Sequence, residues 1–345
     1  MSATTPATQS IGAETAEPSS SRPGMRAAWY ARVGAAADVL RVGVRPRPLA
    51  GDGELVVRVA YSAVHPADVK RRAGTLGQMD AAEVIPHSDG SGIVEAVGAG
   101  LAEREWLGRR GWMFHAQRGR AEGTAAEYIT LPARLCRPVQ GDCSLRDASC
   151  IGIPMLTSHV AVLGHGAVTG KRVLITGAAG SVGRYALQWA RWAGASCVLA
   201  TVANATQKAL ALELGANDVL DIHADDPADW IVRQLGSARS IDVLVDIDMG
   251  RNGVWVPKVL APHAIWSTFA SSMPVALDFR ALLDVNARLR FIRSHSLAPA
   301  ELNAALDDID RIHAVRRAGA RADRLCPRAG RTRPPAGCNR IVCFG

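Results

Sequence analysis

What this sequence lacks narrows the field before any motif is read. No apolar run approaches the roughly 20 residues that a membrane-spanning helix requires, although 48% of the chain is hydrophobic. Cysteine is sparse and badly spaced for metal: the seven stand at 136, 143, 150, 197, 326, 338 and 343, with no CxxC pair. The first three are seven apart, which fits no common zinc site, so they read as free thiols in a reducing cytoplasm. The first 24 residues, MSATTPATQSIGAETAEPSSSRPG, lack the basic start and apolar core of a secretion signal. Their Ser/Thr/Ala/Pro composition predicts a disordered leader, with Met25 an alternative start to Met1.

The formal charge of +8 is confined to one place. Residues 311–345 hold nine arginines and one acid, Asp323, while the rest of the chain carries 31 basic and 31 acidic residues. A balanced body of this kind suits a globular enzyme with no preferred polyanionic partner. With 345 residues, two domains or one large one are expected.

From Arg26 to about Arg137, short apolar runs are broken by Gly and Pro: ELVVRVAYSAV, GIVEAVG, GRRGWMFHA and GTAAEYITLP read as the strands of a β-rich domain, a barrel. After Pro154 the texture changes. RVLIT (172–176), SCVLAT (196–201), DVLDI (218–222), IDVLVDI (241–247) and HAIWSTF (263–269) are apolar strands with little alternation. Between them the pattern predicts helices over Val182–Ala193, Ala205–Leu214, Pro227–Leu235 and roughly Gly253–Leu260. Strands buried on both faces and alternating with helices predict a doubly wound parallel sheet. Gly194 and Gly215 stand where helix-ending residues of positive φ are wanted.

The stretch VLITGAAGSVGRYALQWARWAGA carries the chemistry. Gly177, Gly180 and Gly183 lie where the RVLIT strand gives way to a helix, the context in which a dinucleotide fingerprint has meaning. Gly177 permits a tight turn, Gly180 lets backbone approach a pyrophosphate, and Gly183 allows close packing of helix on strand. Ala178, Ala179, Ser181 and Val182 complete the loop along the phosphates, at a helix N-terminus whose dipole favours anions. An NAD site places an acid at the end of the second strand, and here that end reads ATVANATQK, with none. Lys208, one turn on, with Thr201, Asn204 and Thr206 as hydrogen-bond donors, favours the 2′-phosphate of NADP(H); an ordinary solvated lysine is the other reading of Lys208.

The ordered set MRAAWY, SAVHPADVKRRAG, IPHSDGSGIVEAVGAG, GTAAEYITLP, GIPMLTSHVAVL, GAAGSVG, KALALELGANDVLDI and VLVDIDMG resembles the medium-chain dehydrogenase/reductase superfamily, in its zinc-independent quinone oxidoreductase (zeta-crystallin-like) branch. The resemblance implies an α/β protein: a GroES-like β-barrel catalytic domain over 25–152, a Rossmann doubly wound NADP(H)-binding domain over 153–292, and a return to the catalytic domain over 293–345. It implies a cytoplasmic oxidoreductase that reduces a quinone or conjugated enone, an acceptor able to stabilise the charge it gains. A homodimer is an assembly the resemblance allows. A ketone or alcohol reductase without zinc, or an NADP-binding protein with little turnover, are its rivals.

A zinc alcohol dehydrogenase would place Cys at Val64–His65 and His immediately before the acid Asp89, where this chain has Ser88, with His87 one position off. The third family Cys falls near Ile153, and the four-cysteine lobe is missing, so no metal is expected. The resemblance puts His65, where the family has Asn, beside the nicotinamide, as donor of a hydrogen bond or proton to the acceptor oxygen. A satisfied loop histidine is the alternative. Lys70, Arg72 and Phe269 fall at substrate-pocket positions, Thr157 and Ala270 beside the nicotinamide, and Asp68 at a position with a barrel role.

After about residue 310 the family pattern stops, and an Arg-, Pro-, Gly- and Cys-rich tail follows. A frameshift in a GC-rich gene explains that composition. A basic arm for nucleic acid is the functional alternative, disfavoured because Phe344 is the tail's one aromatic. The closing GCNRIVC reads either as an echo of the family's last strand or as chance.

Overall fold

The computed structural model describes residues 23–79, 81–317 and 340–343. The leader through residue 22 and the tail at 318–339 and 344–345 lie outside the described residues, and the frameshift and nucleic-acid readings lie there with them.

Seven strands make the first part: β1 (Gly24–Trp29), β2 (Arg41–Pro46), β3 (Glu54–Val64), β4 (Asp89–Val97), β5 (Arg110–Met113), β6 (Tyr128–Pro132) and β7 (Cys136–Pro138). β1 pairs antiparallel with β2. β3 is the hub, with β4 along one side and β6 along the first half of the other. β4 hands the sheet on to β5 and β7. Alternation sends Leu55, Val57 and Val59 of β3 inward against Val94, Met113, Ile129 and Leu131.

Six strands make the second part: β8 (Arg172–Ile175), β9 (Cys197–Val202), β10 (Asp218–Asp221), β11 (Ile241–Asp246), β12 (Leu260–Thr268) and β13 (Arg288–Phe291). They form one parallel sheet in the order β10-β9-β8-β11-β12-β13. The chain starts at the centre, winds to one edge, returns and winds to the other, so its direction reverses between β8 and β11. Both faces are covered, and successive side chains enter opposite cores. Val173, Ile175, Val198, Ala200, Val243 and Val245 pack on one side; Leu174, Leu199 and Leu244 pack on the other. This two-sided burial is why the strands read as unbroken apolar runs.

Helices Ser181–Trp192, Ala205–Glu213 and Pro227–Leu235 connect the strands. The last begins with Asp226 accepting from the amides of Ala228 and Asp229, and with Pro227 in its first turn. It ends on Gly236 at φ 69°. Gly194 and Gly215 take φ of 79° and 105°, as their positions after helices required.

Three elements differ from the sequence expectation. The helix foreseen near Gly253–Leu260 is instead a turn of helix at Met249–Asn252, a 3-10 turn at Val256–Lys258 and the start of β12. Pro257 lacks the amide that a continuous helix would need. β13 is a sixth strand, and its RLRF sequence at the sheet edge carries no long apolar run. A helix at Gly152–Leu163 is buried from Pro154 through Val162, so it shows no polar face to betray a 3.6-residue period. It shares one core with Trp112 and Phe114 of the barrel, the sheet, and Ala305, Leu306 and Ile309 of a long helix at Pro299–Arg317.

β14 (Arg340–Cys343) pairs antiparallel with the end of β3, Arg340 opposite Val64. Of GCNRIVC, the described residues are Arg340–Cys343, and they form this strand. Among the described residues no helix is long and apolar enough to cross a membrane.

Candidate active site

The glycine turn closes the C-terminal end of β8. Gly177 sits at φ 59°, a left-handed conformation that costs any other residue but glycine. A Cβ there would lie 2.8 Å from Ile247 Cγ2, and one on Gly183 would lie 2.6 Å from Ala178 Cα. The first glycine makes the turn, and the third lets the 181–192 helix rest on it. Gly180 is the residue before that helix, and its carbonyl accepts the Arg184 amide at 3.0 Å. Ser181 and Val182 are half-buried at the helix start, while Ala178 and Ala179 are buried under it.

The second strand ends beside this turn. Thr201 is 3% exposed, its carbonyl accepts the Ala178 amide, and its hydroxyl lies 3.4 Å from the Gly177 amide. Its side chain therefore braces the turn from below and does not project with Asn204 and Lys208. Asn204 caps the 205–213 helix by accepting the Gln207 amide at 3.0 Å. Lys208 is exposed one turn further on, its amide bonded to the Asn204 carbonyl. Thr206 is exposed between them.

Asp246, at the end of β11, was not foreseen as a site residue. It is fully buried and accepts from Thr176 Oγ1 at 2.8 Å, Asn252 Nδ2 at 2.6 Å, the Asp248 amide at 3.1 Å and Trp266 Nε1 at 3.0 Å. Thr176 Oγ1 also accepts from the Ile247 amide at 3.0 Å. These bonds lock the ends of β8, β11 and β12 together and fix Ile247 against Gly177. An acid inside an apolar strand needs such partners, and the aspartate closing IDVLVD was the available signal.

Just past these strand ends opens a cleft of about 280 Å³, lined by Met249, Thr268, Phe269, Ala270, Ser271, Val275, Phe291, Ile292 and Arg293. Ligands of open parallel sheets bind in this place, outside the carboxyl ends at the reversal of strand order. Phe269 and Ala270, at the end of β12, are among the residues that line it. Thr157 is 5% exposed on the 152–163 helix.

His65 is arranged as a satisfied histidine. It caps the Pro66–Arg72 helix, its ring paired with the Asp68 amide and its own amide bonded to Asp68 Oδ2 at 2.8 Å. Its Nε2 lies 2.7 Å from Asp89 Oδ2, and the ring is 3% exposed. With Nδ1 facing an N–H, the proton sits on Nε2 and is donated to Asp89. Asp89 Oδ2 also accepts the Ile153 amide at 2.6 Å, at the start of the 152–163 helix. Gly152 is required beside it, since a Cβ there would lie 2.5 Å from Asp89 Cγ. His65 therefore ties the barrel to this helix through Asp89. Around this pair, Ser62 Oγ joins His87 Nδ1 at 2.9 Å and Thr124 Oγ1 at 2.8 Å, and burial lowers the His87 pKa. Among the described residues no three His, Cys, Asp or Glu side chains converge as metal ligands.

Two substrate-pocket expectations point elsewhere. Arg72 donates to the Gly34 carbonyl and bridges helix to loop, and Lys70 is exposed. The neighbouring Arg71 faces inward, donating to Gln117 Oε1 at 2.6 Å. Beside it His115 Nε2 lies 3.1 Å from Ser294 Oγ, with the His295 ring 6.0 Å from that of His115. Burial holds His115 down to about 4. Burial, then Arg118 and Arg293, hold His295 down to about 3. Both imidazoles are therefore neutral near pH 7.

A GroES-like barrel joined to a parallel dinucleotide-type sheet, with a cleft at the strand ends, defines the class. The comparisons sharpen it. The alcohol dehydrogenase GroES-like domain family matches residues 51–141. A quinone oxidoreductase of Lama guanicoe is 29% identical over 204 residues, covering 58% of this chain and 59% of that protein. The chain thus spans under two thirds of the curated relative it matches. Among solved structures, a mycobacterial protein complexed with NADPH superposes with a TM-score of 0.70 at 26% identity, covering 84% of this chain and 88% of that one. A Pseudomonas syringae quinone oxidoreductase gives 0.74 at 23% identity over 84% and 89%, a likeness of fold. These likenesses support the medium-chain dehydrogenase/reductase superfamily, in its quinone oxidoreductase (zeta-crystallin-like) branch.

Proposed function

We propose that the chain is an NADPH-dependent reductase of quinones or conjugated enones that works without metal. The observation that carries this reading is the continuity of the glycine turn with the cleft: Gly177 touches Ile247, and Met249, two residues on, lines the cleft with Phe269 and Ala270. The residues fit a dinucleotide. Gly177 and Gly183 leave no room for a Cβ, the 181–192 helix points its N-terminus at the turn, and Asn204 and Lys208 stand where an NAD site has an acid. The bound cofactor supplies a hydride.

The chain's own work is placement. Amides at the helix start and Gly180 hold the pyrophosphate, Lys208 and Asn204 meet the 2′-phosphate, and Thr201 braces the turn. Phe269, Ala270 and Thr157 flank the nicotinamide. His65 acts as a positioning residue through Asp89. Asp89 is engaged by His65 and Ile153, and Ser88 and Val64 offer no metal ligand, which is why the reading assigns none. The likeness to a quinone oxidoreductase and the NADPH in the mycobacterial complex support the assignment. Steady-state turnover of NADPH with a panel of quinones, enones and simple ketones tests it. Quinone- or enone-dependent oxidation is expected; turnover of simple ketones or alcohols alone would overturn it in favour of a carbonyl reductase.

A further inference from the structure

Building on the reading of this cleft as an acceptor site, we propose that the acceptor carries an anionic group, a carboxylate or phosphate, held by Arg118 and Arg293. A neutral quinone needs no guanidinium, yet the cleft wall has one in Arg293, beside Phe269 and Phe291. Arg118 approaches from the barrel. Its amide bonds the His115 carbonyl at 3.0 Å, and His115 reaches Ser294, the neighbour of Arg293, across the seam. The two arginines therefore flank one bridge between the barrel and the sheet.

Neither guanidinium makes an ion pair or hydrogen bond among the described residues, and both side chains are exposed. At the seam itself, by contrast, the neighbouring Arg290 and Arg137 are paired, with Glu301 and Asp310. Arg71 adds a third positive charge, and among the described residues the charged groups acting on His295 are cationic. The one acid that His115 feels is Asp89, fully buried and bound to His65 and Ile153. Arg293 on the cleft wall and Arg118 beside the same His295 are suited to an anion that accepts from both. The neutral imidazoles of His115 and His295 leave that charge to the arginines. The cofactor phosphates have their own place at the glycine turn and Lys208.

The test uses the full chain, NADPH and acceptors matched in redox chemistry: para-benzoquinone bearing a propanoate arm, its methyl ester, and the same quinone with a phosphate on a propanol arm. The kcat/KM for one or both anions is expected to exceed that of the ester by about tenfold, a ratio that shrinks with added salt. In an Arg118→Gln/Arg293→Gln double variant the ratio should fall to about twofold or less. The better of the two anions identifies the group. Equal kcat/KM for anionic and ester quinones, or a ratio untouched by the double substitution, would overturn the proposal. Calorimetry gives a second readout, with hydrocinnamate and its methyl ester titrated into the chain with and without NADP⁺. Hydrocinnamate binding that the ester lacks supports the site, and its absence together with equal kcat/KM for the phosphate and ester quinones overturns it. Failure to bind NADPH would sink the reductase reading by itself, and the hydrocinnamate titration would still decide the anion site.

Discussion

Two aspartates, both fully buried and both at strand ends, do opposite jobs. Asp246 has four neutral donors shared between its two oxygens and closes a finished network inside the parallel sheet. Asp89, at the start of β4, loads Oδ2 with His65 and the Ile153 amide, while Oδ1 has no partner among the described residues. The first is a latch within one layer and holds the floor of the dinucleotide site. The second is a lopsided tie between barrel and nucleotide sheet, next to His87 and His115. The contrast locates the rigid and the adjustable parts of the molecule: the glycine turn is overdetermined, and the seam between barrel and sheet is underbonded.

The contrast predicts unequal costs. Asp246→Ala strands the Trp266 indole and the Asn252 amide in a dry interior and should cost about 4 kcal/mol by urea unfolding. Asp89→Asn keeps the shape but weakens the bonds to His65 and Ile153, for about 2 kcal/mol. If the second cost matched or exceeded the first, the ranking of latch over tie would be wrong. Gly183→Ala forces a Cβ against Ala178 backbone and should weaken NADPH binding about tenfold in a fluorescence titration, because the helix start must lift off the turn.

Acid should loosen the seam before the sheet. His115 and His295 have folded pKa values of about 4 and about 3, below the ordinary 6.5, so the unfolded chain binds more protons as pH drops. Their contribution is complete above about pH 6.5 and is lost as pH falls toward about 4. Hydrogen exchange at pH 5 should accelerate at the 293–297 segment before β8 or β11. Uniform acceleration across both would erase the distinction. The smallest effect is at the surface: Lys208→Ala should lower the preference for NADPH over NADH by about threefold, as a screened contact allows.

The regions differ equally in how far they could be read from the chain. The glycine turn and five of the six parallel strands were legible because local chemistry dictates them: left-handed φ, close packing and burial on both faces. Phe269 and Ala270 followed from the strand they end. The seam was opaque, because His115 and Ser294 meet across 179 residues and neither belongs to a local pattern. Arg71 and Arg72 show the same limit at close range. Adjacent residues on a helix differ by about 100°, so one faces Gln117 and the other Gly34. The 152–163 helix was hidden by being buried all round, Thr157, Ser158 and His159 included, and β13 by being an edge with too little apolar sequence to register.

The central claim is that the turn at Gly177, Gly180 and Gly183 holds NADPH above the cleft at Phe269. Titration of the purified chain with NADPH and NADH, following energy transfer from tryptophan to nicotinamide, tests it most directly, since Trp189 and Trp266 are buried within the nucleotide half. Saturable transfer with NADPH binding more tightly than NADH is the predicted result. No saturable transfer from either nucleotide, or tighter binding of NADH, would contradict the account.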